Sequence, residues 1–265
     1  QFDIYLSPSI IHQGDLSLIR IRVESGKIPQ VIWMEKEVYL VSNHQKTDWY
    51  GFLGADLTTR PGRYEVLVKI PNSSSEKKLE VEIREKDYGV RRLTLPKNMV
   101  DLDPHTLQRV RKESGLMKSL WEAQPSIPRW NAPFLRPISG EVQGPFGQRS
   151  IINNQPRAPH SGIDLKAEKG TPIKAMNHGR VVLTGDHFFS GLSVVIDHGG
   201  GIQSMYFHLD RIQVQQGEMV TKGHIIGVVG CTGRATGAHL HWGIRINGAR
   251  IDPLQLIALS QQLEE

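Results

Sequence analysis

His239-Leu240-His241-Trp242-Gly243-Ile244-Arg245-Ile246 sets two histidines two residues apart among β-prone Leu240, Trp242, Ile244 and Ile246. The segment reads as a strand. Side chains at i and i+2 of a strand leave the same face, so both imidazoles face one spot. One can bind a metal while the other stands beside it. Upstream, His160-Ser161-Gly162-Ile163-Asp164 offers an imidazole and a carboxylate four residues apart. Gly162 inside it and Pro159 before it predict an irregular turn running into a strand rather than a helix. Together the two words can supply two imidazoles and a carboxylate to one divalent ion, leaving a fourth position for water. Three protein ligands with an open corner suit hydrolysis, whereas four closed ligands suit a structural ion. His208, in Tyr206-Phe207-His208-Leu209-Asp210, ends an apolar segment and is a further candidate imidazole.

Outward from these words the chain reads as mainly β. Strands are predicted at Arg180–Leu183, Leu192–Ile196, Ile202–Phe207 and Ile225–Val229, separated by glycine turns. Residues 136–265 form one unit, ending in a short helix from Pro253 to Glu265. Residues 1–86 form another. There, Leu16–Val23, Val31–Met34, Glu37–Val41, Tyr64–Ile70 and Leu79–Ile83 read as short strands. Arg60-Pro61-Gly62-Arg63 and Pro71-Asn72-Ser73-Ser74-Ser75 supply turn chemistry. This spacing suggests a small antiparallel sandwich, immunoglobulin-like in outline only, since no cysteine pair exists. Its expected role is a spacer or positioning module, with wall or partner binding as the sharper alternative.

Residues 87–135 join the two. Asp103 is a good N-cap and Pro104 fits the first helical position, so a helix is predicted from 104 to 123. Leu107, Val110, Met117, Leu120 and Trp121 fall near one face of it. Four prolines between Gln124 and Pro137 then favour an extended strap, rich in aromatics, that could pack along the C-terminal unit or cover the metal.

The words around the candidate ligands carry a resemblance. His160-Ser161-Gly162-Ile163-Asp164-Leu165 is followed by Gly170-Thr171-Pro172-Ile173-Lys174-Ala175 and Gly179-Arg180-Val181-Val182. Then come Tyr206-Phe207-His208-Leu209, Val220-Thr221-Lys222-Gly223, and Gly230-Cys231-Thr232-Gly233-Arg234-Ala235-Thr236-Gly237-Ala238-His239-Leu240-His241-Trp242. The series resembles the lysostaphin-type (LytM-type) zinc metalloendopeptidases that cut peptidoglycan peptides. The likeness spans about residues 136 to 255, opening on Gly144-Pro145-Phe146-Gly147-Gln148-Arg149. It implies an antiparallel sheet with a groove over the metal. It implies one Zn2+ held by His160, Asp164 and His241, with His208 and His239 as catalytic residues flanking the water. Cys231 and Ala235 depart mildly from the pattern, and neither would hold metal. The implied alternative is a non-catalytic wall-binding or hydrolase-activating protein of the same fold; such members usually lose ligands, and here the set is complete.

Composition sets the remaining bounds. A chain of 265 residues can hold two cores. No run of about 18 apolar residues predicts a membrane-spanning helix. The net charge of +5 is read as an ordinary basic surface, and no basic cluster interleaved with aromatics suggests nucleic acid. The single cysteine, Cys231, excludes an internal disulfide. The expected partner is a peptidoglycan peptide. The expected location is extracytoplasmic, in a mature form whose signal or anchor has been removed. Of the other histidines, His198 in Ile196-Asp197-His198-Gly199-Gly200 is the most tempting, but it fits a hairpin end equally well.

Overall fold

The computed structural model describes residues 2–71, 75–94, 97 and 100–263. The turn expected at residues 72–74 and the last two residues of the expected terminal helix lie outside the described residues.

Two N-terminal strands, Gly62–Lys69 and Glu76–Arg84, bury alternate side chains in their later parts, where Val66, Val68 and Val81 are fully buried. The N-terminal strands form two sheets. One orders Asp3–Ser7, Leu16–Arg22, Asp48–Gly54 and Val41–Ser42; the other orders Ile10–His12, Glu76–Arg84, Gly62–Lys69, Gln30–Trp33 and Lys36–Val38. Ile19, Ile21 and Leu53 of the first sheet meet Val31, Trp33, Val66, Val68, Val81 and Ile83 of the second in one buried cluster. The result is a sandwich.

Asp48-Trp49-Tyr50-Gly51-Phe52-Leu53-Gly54 is a strand that alternation does not announce. Its apolar run is continuous because both faces are covered, the pattern expected of doubly buried strands. Leu53 points into the sandwich, while Phe52 joins Leu16, Leu18 and Leu57 in the core of the C-terminal unit. Burying each of these two side chains contributes roughly 1.5–3 kcal/mol. Gly54 permits the approach, since a Cβ there would lie 2.8 Å from Ile251 Cδ1.

The C-terminal unit is built on a ten-stranded sheet. Its main path runs Val142–Gly144, Gly162–Lys166, His239–Ile246, Ile202–Ile212, Gly191–Gly199, Gly179–His187 and Met219–Val220. All these pairings are antiparallel. Beside it lies a three-stranded sheet of Val90–Leu93, Arg149–Ile152 and Gln155–Pro156. The terminal helix, Pro253–Gln261, is capped by Asp252, whose side chain accepts from the Leu254 N–H.

The joining helix spans Pro104–Trp121, with Asp103 accepting from the His105 and Thr106 N–H groups. Only the later part of its apolar face docks. Met117, Leu120 and Trp121 pack with Phe207 against Leu183, Val195 and Met205, whereas Leu107 stays exposed. The strap that follows inserts Trp130 and Phe134 into the core beside Tyr50 and Phe52. Its backbone bonds run to His198, Ser126 meets Gly200, and Leu135 meets Met176. The strap therefore seals the two units together instead of lying over the candidate ligands.

His198 sits under that strap as a buried structural group. Its Nδ1 lies 2.7 Å from the His178 carbonyl, and its Nε2 lies 2.7 Å from Ser204 Oγ, which is 3.0 Å from Tyr206 OH. Burial pushes this imidazole down to about 4, although the His178 carbonyl and the nearby Asp197 charge both pull it upward. An unfolded chain takes up this proton near pH 6.5, while the folded chain refuses it until pH about 4. The associated stability is whole above pH 6.5 and declines by about 3 kcal/mol as pH falls to 4. In urea titrations at several pH values, His198→Gln should be less stable at pH 7 yet decline less steeply across this window. Parallel declines in the two proteins would rule this account out.

Candidate metal centre

The register of two strands assembles the centre. Gly162–Lys166 pairs antiparallel with His239–Ile246 so that Asp164 lies directly opposite His241. Directly paired residues share a face of the sheet. His239 follows His241 onto that face by the two-residue period. On its other side His241 is paired with Phe207, and the two rings stack with centroids 5.3 Å apart and planes 7° apart. His160 comes from the loop before the first strand. That loop is fixed by the His160 N–H donating to the Gln148 carbonyl and the Gly147 N–H donating to the His160 carbonyl.

Three atoms form a tight triangle. His160 Nε2 lies 3.1 Å from Asp164 Oδ1 and 3.0 Å from His241 Nδ1, and His241 Nδ1 lies 3.0 Å from Asp164 Oδ1. His160 Nδ1 lies 2.9 Å from the Pro145 carbonyl, which accepts only if Nδ1 carries the proton. Nε2 then turns a bare lone pair toward another acceptor, the Asp164 carboxylate. His241 can supply at most one proton to a triangle with three acceptor corners. A cation at the centre would satisfy all three lone pairs, so the donor set fits a divalent metal. Burial alone would raise the Asp164 carboxyl, but its close contacts with the His160 and His241 imidazoles outweigh it and hold the group well below the usual carboxylate range. Burial pushes the His241 imidazole down, keeping it neutral as a ligand must be.

Two more imidazoles stand beside the triangle. His239 Nε2 is 3.8 Å from Asp164 Oδ1, and the His239 and His208 rings are 4.8 Å apart. His239 Nδ1 lies 2.8 Å from the Gly237 carbonyl, and His208 Nδ1 lies 2.8 Å from the Thr232 carbonyl. In each ring the proton is anchored on Nδ1, and Nε2 is free to exchange one. His208 has a φ of +65°, an uncommon conformation for a non-glycine residue. The ladder to His239–Ile246 ends at Phe207, and the turned backbone swings the next ring toward the centre. Burial pushes His208 down to about 4. All five residues expected from the sequence are thus brought together.

Other contributors carry little sequence signal. Thr232 anchors its loop by donating from Oγ1 to the Leu209 carbonyl at 2.7 Å and accepting from the Leu192 N–H at 2.9 Å. Gly144 passes so close to the carboxylate that a Cβ there would lie 2.3 Å from Asp164 Oδ2 and 2.8 Å from Asp164 Cγ. Gly144→Ala should therefore fold but rotate Asp164 out of the triangle, weakening metal binding by about 10–100-fold. Competition against a chromogenic chelator measures this, and an unchanged affinity would contradict it.

Comparison with known proteins agrees with this geometry. The sequence profile of Peptidase family M23 matches residues 158–253, a stretch that contains all five site residues. A Pseudomonas aeruginosa crystal structure classed as peptidase M23 superposes with a TM-score of 0.72 at 31% identity, covering 94% of this chain and 95% of that one. This chain belongs to peptidase family M23. Among curated relatives of this M23 chain, the DD-carboxypeptidase/endopeptidase Mpg of Neisseria meningitidis serogroup B is 36% identical over 124 residues, or 47% of this chain and 29% of that protein. The peptidoglycan DD-endopeptidase ShyA of Vibrio cholerae is 40% identical over 98 residues, or 37% of this chain and 23% of that protein. The matched stretch thus spans less than a third of either curated relative. Membership in M23 makes the chain a peptidase by descent, and the His160, Asp164 and His241 cluster is where its metal could sit.

Proposed function

We propose that the protein is a zinc-dependent endopeptidase that hydrolyses peptide bonds in peptidoglycan cross-links or stem peptides, acting outside the cytoplasm. The observation that carries this reading is the triangle of His160 Nε2, Asp164 Oδ1 and His241 Nδ1, whose ligand atoms all lie within 4.8 Å of one another. Two nitrogens and one carboxylate oxygen form a donor set that suits zinc with a coordination position left open. The names of the related DD-endopeptidases support peptidoglycan as the substrate. In this reading residues 136–265 are the catalytic unit, residues 87–135 join it, and the sandwich of residues 1–86 positions it.

Bound zinc would supply a water acidified to near neutral pH and a polarised scissile carbonyl. The chain's own residues do the rest. The carbonyls of Pro145, Thr232 and Gly237 hold the protons of His160, His208 and His239 on Nδ1. One of His208 and His239 accepts the proton of the attacking water at Nε2. The other, protonated on both ring nitrogens, presents its Nε2–H to the oxyanion that develops on the scissile carbonyl. Phe207, stacked on His241, fixes the orientation of that ligand. Metal analysis together with dye release from purified cell walls tests the proposal. About one zinc per chain is expected, with release abolished by chelator and restored by added zinc. A protein that binds walls and zinc but releases no dye would instead be the non-catalytic form.

A further inference from the structure

Two guanidinium groups stand on the loops that flank this centre, with no carboxylate among the described residues to neutralise them. Arg157 lies just after the Gln155–Pro156 strand and three residues before His160, and its N–H donates to the Ser150 carbonyl at 2.9 Å. Arg234 lies on a second loop, the one whose Thr232 and Gly237 carbonyls orient His208 and His239. Its N–H donates to the Phe189 carbonyl at 2.9 Å, and its guanidinium stacks 4.1 Å from the centre of the Phe189 ring. Among the described residues, no Asp or Glu oxygen lies within 4.0 Å of either group. Arg157 Nη2 donates to Gln155 Oε1 at 2.8 Å, but its Nε is buried without a partner. The Arg234 side chain makes no hydrogen bond among the described residues and rests on the ring alone.

We infer that Arg157 and Arg234 together clamp a carboxylate of the substrate, so that the protein selects stem peptides bearing a free carboxylate near the scissile bond over neutral bridges such as glycine–glycine. The inference rests on the reading of the neighbouring centre as a peptidoglycan peptidase site. Two cations brought together and partly withdrawn from water repel each other, and an anion between them relieves both charges. The groups are near enough to feel one another: burial first, and then the Arg157 charge, lower the pKa of Arg234. Both remain charged, because guanidinium groups do not lose their proton in proteins. A planar fork with unused N–H donors matches the two oxygens of a carboxylate. Stacking on Phe189 fixes one fork before the ligand arrives, which lowers the entropic cost of binding. The two forks stand on the loops that carry His160 and that orient His208 and His239, so a carboxylate held by both would lie beside the centre.

The test uses a cross-linked stem-peptide dimer, D-alanine joined to a diamino acid, with its carboxylates either free or amidated. Calorimetric affinities are measured on the full chain stripped of metal, so that nothing is cleaved. The free dimer should bind about tenfold more tightly than the amidated one. Arg157→Gln and Arg234→Gln should each lose about that factor for the free dimer and at most about twofold for the amidated dimer, with Arg234→Lys intermediate. Circular dichroism and melting temperatures check that the variants fold. Equal binding of the two dimers by the parent protein, absence of binding for both, or equal weakening of both by the substitutions would overturn the clamp. Selective binding by a protein that, loaded with zinc, cuts neither dimer would refute the peptidase reading and leave the clamp standing.

Discussion

Alanine at His239, or asparagine at His208, is expected to leave about one zinc in each chain while lowering kcat by about 10²–10⁴-fold. Neither ring belongs to the triangle of His160, Asp164 and His241, so neither is needed to hold the ion. Each ring has its Nδ1 proton anchored on a backbone carbonyl, at Gly237 or Thr232, and only Nε2 remains for proton transfer. Removing the ring removes the transfer and little else. Asparagine is chosen at position 208 because the residue holds a φ of +65°, which asparagine tolerates better than alanine does. Elemental analysis and dye release from cell walls, run on the same samples, separate metal loss from loss of turnover. A His239→Ala protein that cut walls at the parent rate would refute the assigned role.

Asp164→Ala should lose the metal and the activity together. The carboxylate contributes Oδ1 to the triangle, 3.1 Å and 3.0 Å from the two imidazole nitrogens. It also brings the only negative charge among the three ligand side chains. Without it a dication would be held by two neutral imidazoles alone. Loss of an outer partner typically weakens a metal site 10–100-fold, so loss of a direct ligand should exceed about 100-fold. The contrast with His239→Ala is the informative part, since one substitution empties the site and the other silences it. Zinc retained by Asp164→Ala at parental affinity would mean that the ion is held elsewhere.

The candidate ligand residues were legible because side-chain identity and spacing carry their chemistry. Two histidines two apart on a strand must share a face, and the observed register sets Asp164 opposite the second of them. The partners that fix the imidazole protons were not legible. Those of His160, His208 and His239 are main-chain carbonyls, of Pro145, Thr232 and Gly237, and any residue type carries a carbonyl. Gly144 was visible only as part of a glycine-rich word; its closeness to Asp164 is a tertiary fact. The same division holds for the fold. Strands with one wet face, such as Gly62–Lys69, announced themselves by alternation, while Asp48–Gly54, covered on both sides, did not. The helical stripe expected from Leu107 to Trp121 enters a buried cluster only at Met117, Leu120 and Trp121, while the earlier turns meet the sheet through Arg109, which donates to the Asp186 carbonyl.

Leu16, Leu18, Phe52 and Leu57 of the sandwich belong to the same buried cluster as Trp242 and Tyr206 of the catalytic sheet, with Trp130 and Phe134 wedged between them. Halves welded by such a seam do not swing on a hinge, since motion between domains is expected only where their contact is small and wet. If the proposed function holds, the cutting edge is therefore carried at a fixed attitude, and whatever surface the sandwich rests against dictates the direction from which a strand of the wall is fed to it.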